Sequence, residues 1–438
     1  MHINAKCVTG TSKKRELNQR RKGFIAMNPK EKKKKILLAF SGGLDTSAII
    51  PWLKETQDAE VVAYCSDLGN GPDAEGLKRW ALQLGAADFI FENLKEAFVS
   101  KFAFPAIRAG ASYQDDYLLG TALGRPLIAE RMAHYALELG ASAVAHGCTG
   151  KGNDQIRFER SWAYLIPQLE IIAPWRVWNF KGRKDLLGYL SEKGFSLEAK
   201  EKKYSEDLNL FHRSCEGGIL ENPAEEFEPS EIYKWVSPIS KAKKDSITVE
   251  ISFEQGIPVA LNQKKMSAVA LLSFLNEVAG QAGVGVLDLV EERTNGIKSR
   301  GIYETPGGTV LHLACRALKH LCWDRDLLTT SRSLGAQYGE AIYDGNWHSD
   351  LKNAIESYFE TASETLCGSV KVKLHQGSVN FVSRQSPFSL YSAETVTFEA
   401  DEGGVHHLAD GYCKISALKQ RLMGSRDQRM SRVSGGLR

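Results

Sequence analysis

The sequence predicts an α/β fold: a doubly wound, mostly parallel sheet, then an α+β unit, then a C-terminal helix. Three observations predict it. In the first half, short apolar runs alternate with helical stretches, the pattern of βαβ units. A glycine-rich turn follows the first apolar run directly. Near residue 195 the alternation stops, and half-exposed strand patterns and a hairpin signal replace it. The expected organisation is a basic extension over 1–34, a first α/β unit over 35–195, a second unit over 196–410 and a helical tail over 411–438. A chain of 438 residues accommodates that number of units at about 100–200 residues per domain.

The elements follow in order. Ile36 to Phe40 is apolar and ends at Ser41-Gly42-Gly43, so it reads as a buried strand. Thr46 to about Glu55 reads as a helix that Pro51 should kink or divide. Val61–Cys65 and Asp88–Phe91 are strands around a helix from Asp73 to Leu84, closed by Gly85. Pro126 to Leu139 reads as a helix with proline in its first turn and Gly140 after its end. Ala143–His146 and Ile171–Ala173 complete the strands of the first half. Lys200–Asn209 is polar and irregular, and Pro223–Pro238 is acidic and loop-like. Ile247 to Phe253 alternates like a half-exposed strand, and Met266–Val278 is an apolar-faced helix. Val370–Leu374 and Val379–Val382 flank His375-Gln376-Gly377, a hairpin signal. Ile415 to Met430 reads as a basic helix.

Composition excludes several classes. An apolar fraction of 43% with 25% charged residues is that of an ordinary globular chain, not a disordered one. No run approaches the ~18 apolar residues of a membrane span. The net charge of +3 hides an uneven distribution. Residues 1–35 hold 12 Lys/Arg and 2 acids, residues 411–438 hold 7 and 1, and the stretch between them carries a net of −13. An acidic body argues against general nucleic-acid binding. No apolar stretch of the secretory kind follows the N-terminal charges, and residues 1–26 have the Arg content of a transit peptide but no clear amphipathic stripe, so the expected reading of 1–34 is a disordered basic arm, or a translation start placed too early ahead of Met27. The eight cysteines form no C-x-x-C pair, which points to reduced thiols in the cytoplasm.

The most informative stretch is Ala39-Phe40-Ser41-Gly42-Gly43-Leu44-Asp45-Thr46-Ser47. Placed between a strand and a helix, its glycines let the backbone approach a ligand, and its N–H groups become anion donors. Ser41, Thr46 and Ser47 add hydroxyls. Asp45 among phosphates makes sense if a magnesium ion lies between them. The Walker A spacing is absent. A second loop, Gly147-Cys148-Thr149-Gly150-Lys151-Gly152-Asn153-Asp154, follows the strand ending at His146 and leads to Arg157. In a doubly wound sheet, ligands bind beyond the carboxyl ends of the strands, so both loops belong on one edge. Lys151 offers a point charge for phosphate, and Asn153, Asp154 and Arg157 suit the ammonium and carboxylate groups of an amino acid.

The first loop resembles the pyrophosphate loop of the ATP pyrophosphatases, whose fold is adenine nucleotide alpha-hydrolase-like. The second loop, through Glu159, resembles the signature of the argininosuccinate synthase family, with Cys148 where Ala is usual. Tyr117–Thr121 with Arg125-Pro126, Ala173–Arg176, Lys298–Thr309 and Ser386–Tyr391 resemble the same family in the same order. The resemblance implies that ATP is held by Ala39, Phe40, Ser41, Gly42, Gly43, Leu44, Asp45, Thr46 and Ser47, with Ser66 and Gly147. Aspartate falls to Thr149, Asn153 and Asp154. Citrulline falls to Tyr117, Asn153, Arg157, Ser205, Ser214, Glu291 and Tyr303. Mg2+ is carried mainly by the ATP phosphates, with Asp45 a further ligand. Asp45 and Lys151 are the expected electrostatic contributors to catalysis. Two departures stand out: Ala122, where relatives often have Ser, and Glu292-Arg293-Thr294, where they tend to have Asn-Arg-Phe. The implied reaction joins citrulline and aspartate, cleaving ATP to AMP and pyrophosphate, in a homotetramer.

Overall fold

The computed structural model describes residues 33–196, 203–397 and 404–435. The expected extension therefore lies outside the described residues except at its last two positions. Five strands form the first sheet: β1 (Lys35–Ala39), β2 (Glu60–Asp67), β3 (Asp88–Asn93), β4 (Ala143–Ala145) and β5 (Glu170–Ile172). Their order is β3-β2-β1-β4-β5, and every pairing is parallel. Four helices lie in their connections, α1 (Leu44–Gln57), α2 (Ala74–Gln83), α3 (Gly120–Glu138) and α4 (Asp154–Leu165), and α5 (Arg183–Glu192) follows the last strand. Alternate residues of β1 point to opposite faces. Ile36 and Leu38 pack with Ala48, Ala81 and Leu186 of α1, α2 and α5. Leu37 packs with Met132 of α3 and Trp162 of α4. Both faces are thus covered by helices, which is why β1 is apolar throughout.

The remainder is built on antiparallel pairs. A four-stranded sheet has the order β11-β12-β7-β6 from β6 (Ser205–Leu208), β7 (Arg213–Glu216), β11 (Val286–Glu292) and β12 (Lys298–Glu304). A five-stranded sheet runs β10-β9-β8-β13-β14, from β8 (Ile247–Glu254), β9 (Ile257–Leu261), β10 (Lys264–Lys265), β13 (Gly368–His375) and β14 (Ser378–Gln385). The β13–β14 turn places Gln376 at φ 42° and Gly377 at φ 82°, the left-handed pair of a tight hairpin. Helices α6 (Ala268–Gln281) and α7 (Pro306–Cys322) pack on this sheet, while α8 (Arg325–Tyr343) and α9 (Asp350–Ala362) pack on each other and on residues Phe104–Ala109. The largest core cluster joins them to the Phe98–Leu127 segment of the first half.

Three expectations need correction. Pro51 neither ends nor divides α1, which runs unbroken to Gln57; Ala48, Ile49, Ile50 and Leu53 are buried around it, and this packing outweighs the lost hydrogen bond. Pro126 is not at a helix start, because α3 begins six residues earlier. Leu119 in a left-handed turn, φ 67°, sets that start, and a side chain at Gly120 would sit 2.3 Å from the His212 ring. The single basic helix is two, α10 (Val405–Ser416) and α11 (Leu418–Gly435), divided at Ala417. The irregular stretch 200–209 contains β6; its residues 200–202 lie outside the described residues.

Candidate active site

The carboxyl ends of β1, β2 and β4 open on one edge of the parallel sheet, and both glycine loops leave from it. In the first loop Gly42 adopts φ 73°, and a Cβ there would lie 2.2 Å from Leu77, so glycine is required. Thr46 Oγ1 donates to the Gly43 carbonyl at 3.2 Å and accepts from the Ser41 N–H at 3.3 Å. No side chain caps α1, which leaves its first-turn N–H groups for a ligand. The second loop passes close beside: a Cβ on Gly147 would be 3.0 Å from Thr46.

The second loop is held from below. His146 is fully buried, its Nδ1 accepts from the Cys148 N–H at 3.1 Å, and its Nε2 lies 2.9 Å from Glu159. Arg176 contacts Glu159 at 2.7 Å and Gln155, whose amide donates to the Gly150 carbonyl at 2.7 Å. These bonds fix the loop before any ligand arrives.

Two cavities adjoin here. The smaller, about 300 Å³, is lined by Ala39, Phe40, Ser41, Asp45, Thr46, Ser66 and Gly147 among others. Gly42 and Gly43 shape the turn beneath it, while Leu44 and Ser47 face inward; Ser47 is buried and bonded to Trp80 at 2.8 Å. Burial pushes the Asp45 carboxyl up, with only partial relief from its own N–H and Arg183. A divalent cation beside it would remove that penalty, so the donor set suits Mg2+ shared with phosphate oxygens.

The larger cavity, about 870 Å³, is lined by Tyr117, Thr149, Lys151, Asn153, Asp154, Arg157, Ser205, Ser214, Glu291 and Tyr303. One face of the four-stranded sheet supplies four of them, Ser205, Ser214, Glu291 and Tyr303. The register pairs Tyr303 with Ser214, Ser214 with Asp207, Ser205 with Glu216 and Glu291 with Ser299. Directly paired residues share a face, so this set projects together. Gly301 leaves room for the Tyr303 ring, whose hydroxyl a Cβ there would approach at 2.6 Å. Ala122 does not line the cavity; it is buried in the core, and the neighbouring Thr121 provides the local hydroxyl, 2.7 Å from His212 Nε2.

Cys148, Asp154 and Asp207 line both cavities and form their shared wall. Arg125 donates from one nitrogen to Asp154 and Asp207, 2.8 Å each. Arg157 donates to Asp154 at 3.0 Å from the other side and to the Tyr343 carbonyl at 2.9 Å. Burial would raise the Asp154 carboxyl, but Arg125 and Arg157 outweigh it and hold the group below the usual range. Glu291 lacks such a partner. It is 5% exposed, its Oε2 has no hydrogen bond, and burial and Glu216 push its carboxyl up.

Arg125, Asp207, Glu216, Arg293 and Tyr343 also shape the site but had no role in the sequence reading. Ser205 and Asp207 at a spacing of two were the available signal for β6. Tyr343 ends a helix nearly 200 residues from Asn153, and only the fold brings them together.

Residues 35–196 match the model described as "Arginosuccinate synthase N-terminal HUP domain", and residues 204–423 match "Arginosuccinate synthase C-terminal domain". The chain belongs to the argininosuccinate synthase family. Among its relatives, the argininosuccinate synthase of Desulfitobacterium hafniense (strain DSM 10664 / DCB-2) is 46% identical over 403 residues, covering 90% of this chain and 100% of that protein. That of Clostridium kluyveri is 45% identical over 391 residues, covering 89% and 97%. That of Moorella thermoacetica is 43% identical over 396 residues, covering 90% and 97%. A solved structure from Methanocaldococcus jannaschii, titled a predicted subunit of tRNA methyltransferase, aligns over 37% of this chain and 89% of its own at 16% identity and a TM-score of 0.25, a likeness that carries no weight. Of the family segments met along the chain, Tyr117–Pro126, Gly147–Glu159 and Lys298–Thr309 contribute to the two cavities, while Ala173–Arg176 and Ser386–Tyr391 line neither.

Proposed function

We propose that this chain is an argininosuccinate synthase: it condenses citrulline and aspartate to argininosuccinate and cleaves ATP to AMP and pyrophosphate. The observation that carries the reading is the shared wall. A phosphate-loop cavity and an amino-acid cavity meet at Cys148, Asp154 and Asp207, so a nucleotide on one side faces a zwitterion on the other.

The first glycine loop and the hydroxyls of Ser41 and Thr46 take the phosphates. The citrulline carboxylate lies near Arg157 and Asn153, and its ammonium neutralises Glu291. Tyr117, Tyr303, Ser205 and Ser214 offer neutral hydrogen bonds to the rest. The ureido oxygen attacks the α-phosphorus, and the bond to pyrophosphate breaks. Loop N–H groups and Lys151 stabilise the negative charge that collects on the leaving group. Asp45 would help the phosphate oxygens hold a Mg2+ ion, which would supply Lewis-acid neutralisation of phosphate charge. Aspartate, held by Thr149, Asn153 and Asp154, then attacks the ureido carbon of the citrullyl-adenylate through its amine. AMP leaves and the amine proton is lost. Positioning and fixed charge do the catalytic work.

Assembly as a homotetramer through the tail suits the same reading. In α10 and α11, Leu408, Tyr412, Ile415, Leu418 and Leu422 are exposed, Ile415 at 77%. Basic side chains surround them, and the body they would dock on is acidic. The free cysteines of the described residues suit a reducing, cytoplasmic setting.

The deciding experiment follows pyrophosphate with one amino acid omitted at a time. Release should require citrulline, stop near one equivalent without aspartate, and continue to turnover when aspartate is added. Release independent of citrulline would overturn the reading.

A further inference from the structure

Thr294 sits at the tip of the β11–β12 hairpin, where the chain departs from its family's usual residue. The tip reaches across to the second glycine loop. Arg293 and Asn295 donate to the Lys151 carbonyl at 3.1 and 3.4 Å. Thr294 donates twice to Asn153 Oδ1, from its N–H at 3.1 Å and from its hydroxyl at 3.0 Å. The other end of the amide, Nδ2, donates to the Tyr343 hydroxyl at 2.9 Å, and Tyr343 passes its own proton to the Glu292 carbonyl at 3.2 Å.

This pattern fixes which way the amide points. A backbone N–H can only donate, so the atom facing it must be the amide oxygen. The Tyr343 proton is already committed to a carbonyl, so that hydroxyl must accept, and the atom facing it must be the nitrogen. Both lone pairs of Oδ1 are filled by Thr294. One of the two Nδ2 hydrogens is used by Tyr343. Asn153, which is almost fully buried and lines the larger cavity, therefore has one unspent group: a single N–H.

We propose that Thr294 is a positioning residue that locks the Asn153 amide, so that position 153 presents only a donor to the substrate. The backbone N–H fixes the flip of the amide, and the Thr294 hydroxyl fills the second lone pair of Oδ1; without that hydroxyl the oxygen could also accept from an ammonium. The locked amide reads an acceptor, a substrate carboxylate or carbonyl oxygen, and turns an ammonium away toward Glu291, whose Oε2 is unpaired. The hairpin tip thus assigns the two ends of a zwitterion to two different walls of the cavity. The inference rests on the reading of the cavity as an amino-acid site, but the lock itself is a property of the empty protein.

The test uses the full chain with Thr294→Val, which keeps the backbone N–H and the side-chain volume, and Thr294→Ser, which restores the hydroxyl. The Val variant should raise the KM of citrulline or aspartate by about fivefold, the ratio one ordinary hydrogen bond supports, with kcat changed by less than about twofold. The Ser variant should behave as wild type. A second arm needs no substrate: a urea-unfolding cycle of Thr294→Val with Asn153→Ala should be non-additive by about threefold or more in the unfolding constant. An unchanged KM, a Ser variant as impaired as Val, or an additive cycle overturns the lock. A coupled cycle in a protein that does not turn over citrulline and aspartate supports the lock and removes the functional reading instead.

Discussion

Replacing Glu291 by Gln keeps the side chain's shape and removes one charge. The carboxylate is 5% exposed and its Oε2 is unpartnered, so in the proposed complex the citrulline ammonium is its only close cation apart from the Arg157 already turned to Asp154. A hydrogen bond to a charged group contributes about 1.5–3 kcal/mol. Glu291→Gln should therefore raise the KM of citrulline about 10–150-fold and leave the affinity for ATP unaltered. In the empty protein the effect reverses. Burial and Glu216 lift the folded-state pKa above the ordinary value of 4.5, so the folded chain holds this proton more tightly than the unfolded chain. Stability from this group is complete below the unfolded value and is lost as pH rises through the folded one. Wild type and Glu291→Gln should therefore be equally stable near pH 4, with the variant the more stable at neutral pH. Steady-state kinetics and urea titrations across that range measure both. A citrulline KM within threefold of wild type, or a stability gap that widens toward low pH, would refute the argument.

Further outcomes follow from other parts of the chain. Asp45→Ala should lower AMP formation by about 10²–10³ while the far-UV spectrum stays native, because the variant loses fixed charge beside the phosphates and keeps the buried face of α1. Its magnesium dependence should flatten; a wild-type dependence counts against the loop assignment. Deleting residues 1–26, which precede both matched family segments, should leave kcat within about twofold. A chain ending at Gly404 should sediment as a smaller species with a lower melting temperature, since α10 and α11 keep their apolar residues exposed and a lone helix pair is marginal in water. An unchanged tetramer would place the interface elsewhere.

The parallel sheet was legible because each strand is a short apolar run bounded by glycine or helix signals, and because the first glycine loop sits at its first strand end. Glycine and proline were read less well. Pro126 looked like a helix start because local rules favour it there, yet Gly120 packed on His212 determines where α3 begins. Pro51 was overruled by burial on either side. Strands β6, β7, β11 and β12 left weak signals, because their cavity face carries Ser, Asp, Glu and Tyr in place of the apolar residues that mark a core face. The nucleotide loop and the glycine loop are contiguous in sequence and could be read locally. The wall between the cavities could not, since Arg125, Asp154 and Asp207 belong to three separate elements, and only the fold brings their ion pairs together.

The four-stranded sheet concentrates risk in its alignment. Tyr303 and Ser299 face the cavity, whereas Ile302 and Cys215 face a small apolar cluster with Leu220 and Ile232. A slip of one residue in β12 exchanges the two faces. The hydroxyls would be driven into the apolar cluster and Ile302 would be turned toward the substrates, so one lost codon between 298 and 304 does the damage of several point mutations at once. The same arithmetic gives the enzyme a safeguard: a chain that pairs these strands out of step cannot bury its surface, and so fails as a folded protein before it can act as a faulty catalyst.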